Sequence, residues 1–248
     1  ISKGGHHDAI RKRVTPYDVT ADIMDSLVLL QTDYIDIYML HRDDETVAVG
    51  PIVEMLHSHW EAGRIRTYGA SNWSFARIKE ANAYARAHNL RPVMVASQHF
   101  SLGEQIGDPH GGGCISLTGE AQEEVRQWHR DNHIPLLAYS SLCMGLFSGM
   151  VTRVNYRECN LPEPCLRTYC HERNFDRLER AGKMAAEKGV TIPAIALAYV
   201  INYSDYYGFD VFSLVGSANA AEVTKNIAAS ELRLSKKEID WLNTSARD

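Results

Sequence analysis

The chain has 248 residues, 45% of them hydrophobic and 23% charged, with 26 Lys and Arg against 31 Asp and Glu for a formal net charge of −5. This is an ordinary globular composition with enough chain for a large core, and it excludes disorder and fibrous repeats. The mild acidity without a basic cluster argues against nucleic acid as a partner, and the longest apolar stretch, Ile192 to Ile201 with Pro193 inside it, falls well short of the roughly 20 residues that cross a bilayer. In chain order, a β-rich stub at Ile1-Ser2 runs through Lys3 into Gly4-Gly5, and Thr15-Pro16 opens a helix over Pro16 to Gln31. A strand over Tyr34 to Leu40 precedes a helix over Pro51 to Ala62; a strand over Arg66 to Ser71 precedes a helix over Ser74 to His88. The next strand, Val93 to Ser97, is followed by a helix over Gly119 to Asn132, and the strand Pro135 to Tyr139 by a long helix, Phe175 to Tyr203, broken near Gly189 and Pro193. A strand over Val211 to Gly216 and a helix over Asn219 to Ser230 complete the alternation, and Ser235-Lys236-Lys237-Glu238 is a capping box that opens a last helix, Ser235 to Ala246.

Repeated strand–helix units imply a parallel sheet with helices outside it. Counting the stub there are six units, whereas a closed barrel of this kind needs eight. An open doubly wound sheet would carry a G-x-G-x-x-G turn after its first strand; the turn here reads Lys3-Gly4-Gly5-His6-His7. Polar residues cluster instead at the C-terminal ends of the strands: Lys3, His41-Arg42-Asp43-Asp44, Ser71-Asn72, Gln98-His99, Ser140-Ser141, and Ser217 with Asn219. In a barrel those ends share one mouth, where catalysis takes place.

The segments Tyr34 to Asp44 (YIDIYMLHRDD) and Gly63 to Trp73 (GRIRTYGASNW) resemble the aldo-keto reductase pattern at that family's spacing. Ser97 to Leu102, Ala138 to Leu142 with Gly145 and Ser148-Gly149, Ala194 to Tyr199, and Val215 to Asn226 are similar to later blocks of the family, in the same order. The resemblance implies an α/β fold, the (β/α)8 TIM barrel of aldo-keto reductase type, N-terminally truncated to about six strands because the match begins at the third. Residues 1–248 then form one barrel domain lacking its first two strand–helix units, with 235–246 an appended helix. Such a piece leaves strand edges open and is expected to be unstable by itself.

The resemblance also implies reduction of an aldehyde or ketone by NAD(P)H, with an Asp, Tyr, Lys and His around the carbonyl; a cytoplasmic location is expected from the cysteines, read as reduced thiols, and from an opening without a signal-peptide pattern. Lys3 and His41 match the Lys and His; the Tyr and Asp are expected upstream of Ile1. Ser71, Asn72 and Gln98 match residues that bind the nicotinamide carboxamide, and Tyr139 the aromatic that stacks on the ring. Ser140, Leu142, Gly145 and Ser148 match the stretch over the pyrophosphate, and Ser217, Asn219 and Asn226 the adenosine end. The bland readings are a turn cap for Ser71-Asn72 and a core aromatic for Tyr139. Family members that prefer NADPH carry a Lys and an Arg where this chain has Gly216 and Glu222, which leans the choice toward NADH. The partner implied is a small carbonyl compound, with neither nucleic acid nor membrane, and oligomeric state is not legible. The alternative is an inactive cofactor-binding or regulatory module, since the family includes such subunits.

The five cysteines, an odd number, read as reduced thiols. Cys159, Cys165 and Cys170-His171 lie in a stretch expected to be irregular, Thr152 to Asn174, at spacings unlike the paired C-x-x-C of a zinc site, so no metal is expected. His6-His7 and His57-x-His59 are expected to be solvated or helix-surface residues, and Gly111-Gly112-Gly113 a loop.

Overall fold

The computed structural model describes the backbone of Ser2–Gly4 and residues 12–244. His6-His7 and the side chain of Lys3 lie outside the described residues. The chain divides into two compact units, 1–97 and 98–248.

The first unit runs β1 (Ser2–Gly4), α1 (Pro16–Leu30), β2 (Ile35–Leu40), α2 (Val49–Glu61), β3 (Ile65–Ser71), α3 (Phe75–Ala87) and β4 (Val95–Ser97). All its strand pairs are parallel, with Ser2 opposite Tyr38, Leu40 opposite Ala70 and Ser71 opposite Ser97. The strand expected to stop at Ser2 continues to Gly4, so Lys3 sits inside β1, opposite Met39, and not after its end. Thr15 caps α1 by accepting from the Asp18 amide, and Ser74 caps α3 by accepting from the Arg77 amide. Helix α1 buries Val19, Ile23 and Leu27, one residue per turn of a single stripe. The expectation for His59 is corrected: it is 3% exposed. Its Nε2 lies 3.1 Å from the Thr20 hydroxyl, and its Nδ1 accepts from Arg64 Nε at 2.8 Å. Burial and the Arg64 charge push its pKa down, so it serves as a neutral core group.

Gly69 in β3 has no room for a side chain: a Cβ there would collide with the Val95 carbonyl and the Met39 thioether. Backbone cannot retreat as a flexible side chain can, so Gly69→Ala is expected to destabilise by about 1–3 kcal/mol, read from the urea midpoint at unchanged slope. A loss below the error of that measurement would refute the close approach.

The second unit runs α4 (Glu123–Asp131), β5 (Leu136–Ala138), α5 (Glu163–Thr168), α6 (Glu172–Lys188), α7 (Ile192–Tyr207), β6 (Val211–Ser213), α8 (Ala220–Glu231) and α9 (Lys236–Asn243). β5 and β6 are parallel, Leu136 opposite Val211 and Ala138 opposite Ser213. Three sequence expectations are corrected. The helix expected from Gly119 begins as a 3₁₀ turn and is α-helical only from Glu123. The stretch expected to be irregular contains α5, opened by Pro162 and Pro164, which suit a first turn because no intrahelical donor is lost there. The last strand ends at Ser213, three residues early.

The long helix breaks where expected: Gly189 takes φ 65° to end α6, and Thr191 caps α7 by accepting from the Ala194 amide. Six consecutive residues of α7, Ile195 to Val200, are buried, the signature of a helix covered on every side. The capping box of α9 is present in both directions between Ser235 and Glu238. No single helix among the described residues is long and apolar enough to cross a membrane.

Candidate active site

In the first unit, the parallel register brings the ends of β2, β3 and β4 level, so His41, the first residue past β2, lies at the same end as Ser71 and Asn72. Ser71 and Asn72 are buried and His41 half-buried. Ser71 Oγ donates to the Ser97 carbonyl at 2.8 Å and accepts from Asn72 Nδ2 at 3.1 Å, while the Asn72 amide donates to the same carbonyl at 3.1 Å. These bonds hold Asn72 at φ 57°, a left-handed conformation that Asn tolerates better than most residues.

The loop after His41 is tied down by two residues that sequence reasoning passed over. Trp73 Nε1 donates to the Arg42 carbonyl at 3.3 Å. Arg77, 7% exposed, reaches both Asp43 oxygens through Nε at 3.3 and 3.2 Å and donates to the Asp44 and Val47 carbonyls. Burial raises the Asp43 pKa and the Arg77 contact offsets only part of that rise. Asp44 turns back on its own loop, accepting from the Thr46 amide and hydroxyl. Asp43 and Asp44 thus position the loop. The only advance signal was the placement of Trp73 directly after Asn72 and of Arg77 three residues after the Ser74 cap.

In the second unit, Gln98 is 1% exposed, and its carbonyl accepts from the Tyr139 amide at 3.3 Å. Tyr139 is half-buried at the end of β5, and its hydroxyl donates to the Ile115 carbonyl at 3.4 Å. His99, beside Gln98, is fully buried between two hydroxyls, Ser116 on Nδ1 at 2.8 Å and Ser101 on Nε2 at 3.0 Å. Ser101 gives its one proton to the Gly103 carbonyl, so it accepts from His99 Nε2–H and the Ser116 hydroxyl donates to Nδ1. Burial pushes the His99 pKa down to about 3. It is a neutral structural histidine, not a proton carrier at neutral pH.

Past the ends of β5 and β6 lies a cleft of about 870 Å³, walled by the loop Ser140 to Met150, the first turn of α7, and Leu214 to Gly216 with α8. Ser140, Leu142, Gly145, Ser148 and Asn226 all face it. Its loop takes left-handed conformations at Ser140, Cys143 and Met144, with φ 55°, 49° and 54°, and reaches φ 105° at Gly145, where a side chain would be strained. The N-terminal turns of two helices, α7 and α8, border the cleft, and such turns present backbone N–H groups and a positive dipole end.

Ser217 and Asn219 are not among the residues lining this cleft. Ser217 Oγ accepts from Asn226 Nδ2 at 3.0 Å. Asn219 is the cap of α8, accepting from the Glu222 amide at 3.0 Å. Glu222 lines the cleft, but its carboxylate is turned to the Ala218 amide at 2.7 Å and Asn219 Nδ2 at 3.1 Å. Lys225 also lines the cleft. Sequence reasoning missed this cation, which sits one helical turn from Glu222 and places a positive charge on the same wall.

The sequence profile of the aldo/keto reductase family matches residues 1–246. The chain is 32% identical over 134 residues to aldo-keto reductase YhdN of Bacillus subtilis, covering 54% of this chain and 34% of that protein. It is 28% identical over 243 residues to the NADH-specific methylglyoxal reductase of Escherichia coli, covering 95% and 66%, and 25% identical over 221 residues to norsolorinic acid reductase B of Dothistroma septosporum, covering 89% and 51%. The chain therefore spans from a third to two thirds of the length of these curated relatives. Among solved structures, a thermostable aldo-keto reductase crystallised with the inhibitor epalrestat superposes with a TM-score of 0.67 at 18% identity, covering 94% of this chain and 68% of that one. The fold is thus α/β of the aldo-keto reductase barrel type. With the profile matched from its first residue to 246, the chain belongs to the aldo/keto reductase family.

Proposed function

We propose that the protein reduces the carbonyl of a small aldehyde or ketone to an alcohol with a nicotinamide dinucleotide. The observation that carries this reading is the cleft beyond β5 and β6, whose volume of about 870 Å³ suits a large cofactor. Its fit to a dinucleotide rests on the same wall: small residues at Ser140, Gly145 and Ser148 allow close backbone approach, and the two helix N-termini favour a pyrophosphate. When bound, the dinucleotide supplies the hydride. Ser71, Asn72 and Gln98 hold and orient its carboxamide, and Tyr139 offers a flat face that keeps water from the reacting carbon. His41 polarises and orients the substrate carbonyl, and Lys3 stabilises negative charge beside it.

NADH is the favoured form. Gly216 offers no cation, and the Glu222 carboxylate would repel a 2′-phosphate. Lys225 opposes that repulsion, so the discrimination is expected to be small. Dissociation constants from fluorescence titration of both dinucleotides should lie within about tenfold, which is about 1.4 kcal/mol, with NADH the tighter. NADPH bound tenfold more tightly would reverse the reading. Turnover is tested by following oxidation of each dinucleotide with a panel of aldehydes and ketones, starting from methylglyoxal. Dinucleotide binding without turnover of any member would favour a cofactor-binding regulatory module over an enzyme.

A further inference from the structure

The segment between β4 and α4 leaves the sheet and returns to it. His99, just past β4, forms parallel bridges to Tyr139 on one side and to Ser116 on the other. The His99 amide donates to the Ile115 carbonyl at 2.9 Å, and the Leu117 amide donates to the His99 carbonyl at 2.8 Å. Residues 115–117 therefore add one rung beyond the ends of β4 and β5. The Tyr139 hydroxyl reaches across His99 and donates to that same Ile115 carbonyl, at 3.4 Å. Its ring lies 6.1 Å from the His99 ring, tilted by 54°.

The outer part of this segment is gathered by one carboxylate. Asp108 accepts from the His110 amide at 2.9 Å, the Gly113 amide at 2.6 Å and the Cys114 amide at 3.1 Å. Burial raises its pKa, but these amides outweigh burial and pull the value down to about 2, so the carboxylate is charged across the neutral range. Arg167 of α5 donates to the Asp108 and Pro109 carbonyls at 3.0 and 3.3 Å, and the Gln105 side-chain amide donates to the Cys114 carbonyl at 3.4 Å. The Cys114 amide that Asp108 holds lies one residue before the carbonyl that Tyr139 uses.

We propose that Asp108 is a positioning residue for Tyr139: by folding the 108–114 turn it holds the Ile115 carbonyl where the Tyr139 hydroxyl meets it, and that bond sets the plane of the ring. The inference rests on the reading of Tyr139, given above, as the face against which the nicotinamide lies. The last torsion of a tyrosine has a broad, two-fold preference. The Tyr139 amide, bonded to the Gln98 carbonyl at 3.3 Å, fixes where the half-buried side chain starts but not how its ring is turned. The hydroxyl bond removes that freedom at the far end. A face turned away from the nicotinamide aligns the reacting carbon less well and admits water to it. That costs rate more than affinity, because the contacts proposed for the rest of the dinucleotide are untouched.

Hydrogen exchange of the protein without dinucleotide reads the bond itself. In Tyr139→Phe, which keeps the ring and deletes only the hydroxyl, the peptide over 113–117 is expected to exchange several-fold faster than in the unaltered protein. Unchanged exchange would overturn the proposal. Steady-state rates and fluorescence titration read the consequence: Tyr139→Phe and Asp108→Ala should each lower kcat for carbonyl reduction by about 3- to 10-fold, the scale of one hydrogen bond, with dinucleotide Kd changed by less than about twofold. The double variant should be no slower than the slower single one, since both changes release the same ring. A double loss equal to the product of the single losses, or a loss of affinity matching the loss of rate, would overturn the positioning role. Should Asp108→Ala fail to fold, Tyr139→Phe alone decides, and an unchanged kcat in it would overturn the role equally. Faster exchange in a protein that turns over no carbonyl would support the coupling of turn to ring and count against the reductase reading alone.

Discussion

Replacing Glu104 with alanine is expected to destabilise the protein by about 3–5 kcal/mol, the range for removing one partner of a buried ion pair. The reason lies 73 residues away in sequence. Arg177 has a side-chain exposure of 1%, and its Nη2 donates to Glu104 at 2.8 Å and to the Asn243 side-chain oxygen at 3.0 Å. Its Nε and Nη1 are buried with no hydrogen-bond partner among the described residues. Without Glu104 the guanidinium stays charged and buried with its counter-ion gone. Arg173, at 2.9 Å from the other carboxylate oxygen, is more than half exposed and adds little.

The acid limb of the stability curve should carry the same signature. Burial alone would raise the Glu104 pKa, but the Arg177 charge and the Arg173 hydrogen bond outweigh it and hold the value below the ordinary 4.5. A carboxyl depressed in the folded state contributes fully above its unfolded value and loses that contribution as pH falls through the lower folded one. Glu104→Gln should therefore flatten the decline in stability below about pH 4.5. Urea midpoints measured from neutral to acid pH provide the comparison, and parallel curves for the two proteins would rule out the pairing.

His41→Ala is expected to lower kcat/KM for carbonyl reduction by about 10²- to 10⁴-fold, the range for a positioned acid–base side chain, with dinucleotide affinity little changed. The register of β2 against β3 puts His41 beside Ser71 and Asn72. The Arg77–Asp43 and Trp73–Arg42 bonds hold the loop that follows it. In the role proposed for it the side chain acts on the substrate carbonyl and not on the dinucleotide, so rate and cofactor binding should separate. Steady-state rates beside fluorescence titration measure both. A loss under about threefold, or an equal loss of cofactor affinity, would remove His41 from the role proposed for it.

Short-range features could be read directly from the residues. Thr15, Ser74, Thr191 and Ser235 cap helices where the pattern placed them, and the break at Gly189 and Thr191 followed from a left-handed glycine and a cap. Each is settled within about four residues, by one hydrogen bond or one backbone preference. The alternation of strand and helix was likewise a matter of local periodicity, and family motifs such as Gly63 to Trp73 survive as contiguous blocks.

Contacts between segments far apart in sequence decided the rest. His59 reads as a helix-surface histidine until α1 brings Thr20 against it. Gly69 is one more glycine until the Val95 carbonyl fixes how close the next strand runs. Lys225 is one more helix charge until α8 turns it toward the loop after β5. Capping needs only neighbours in the chain. Burial, charge pairing and close approach depend on which distant surface arrives, and no residue carries that information by itself.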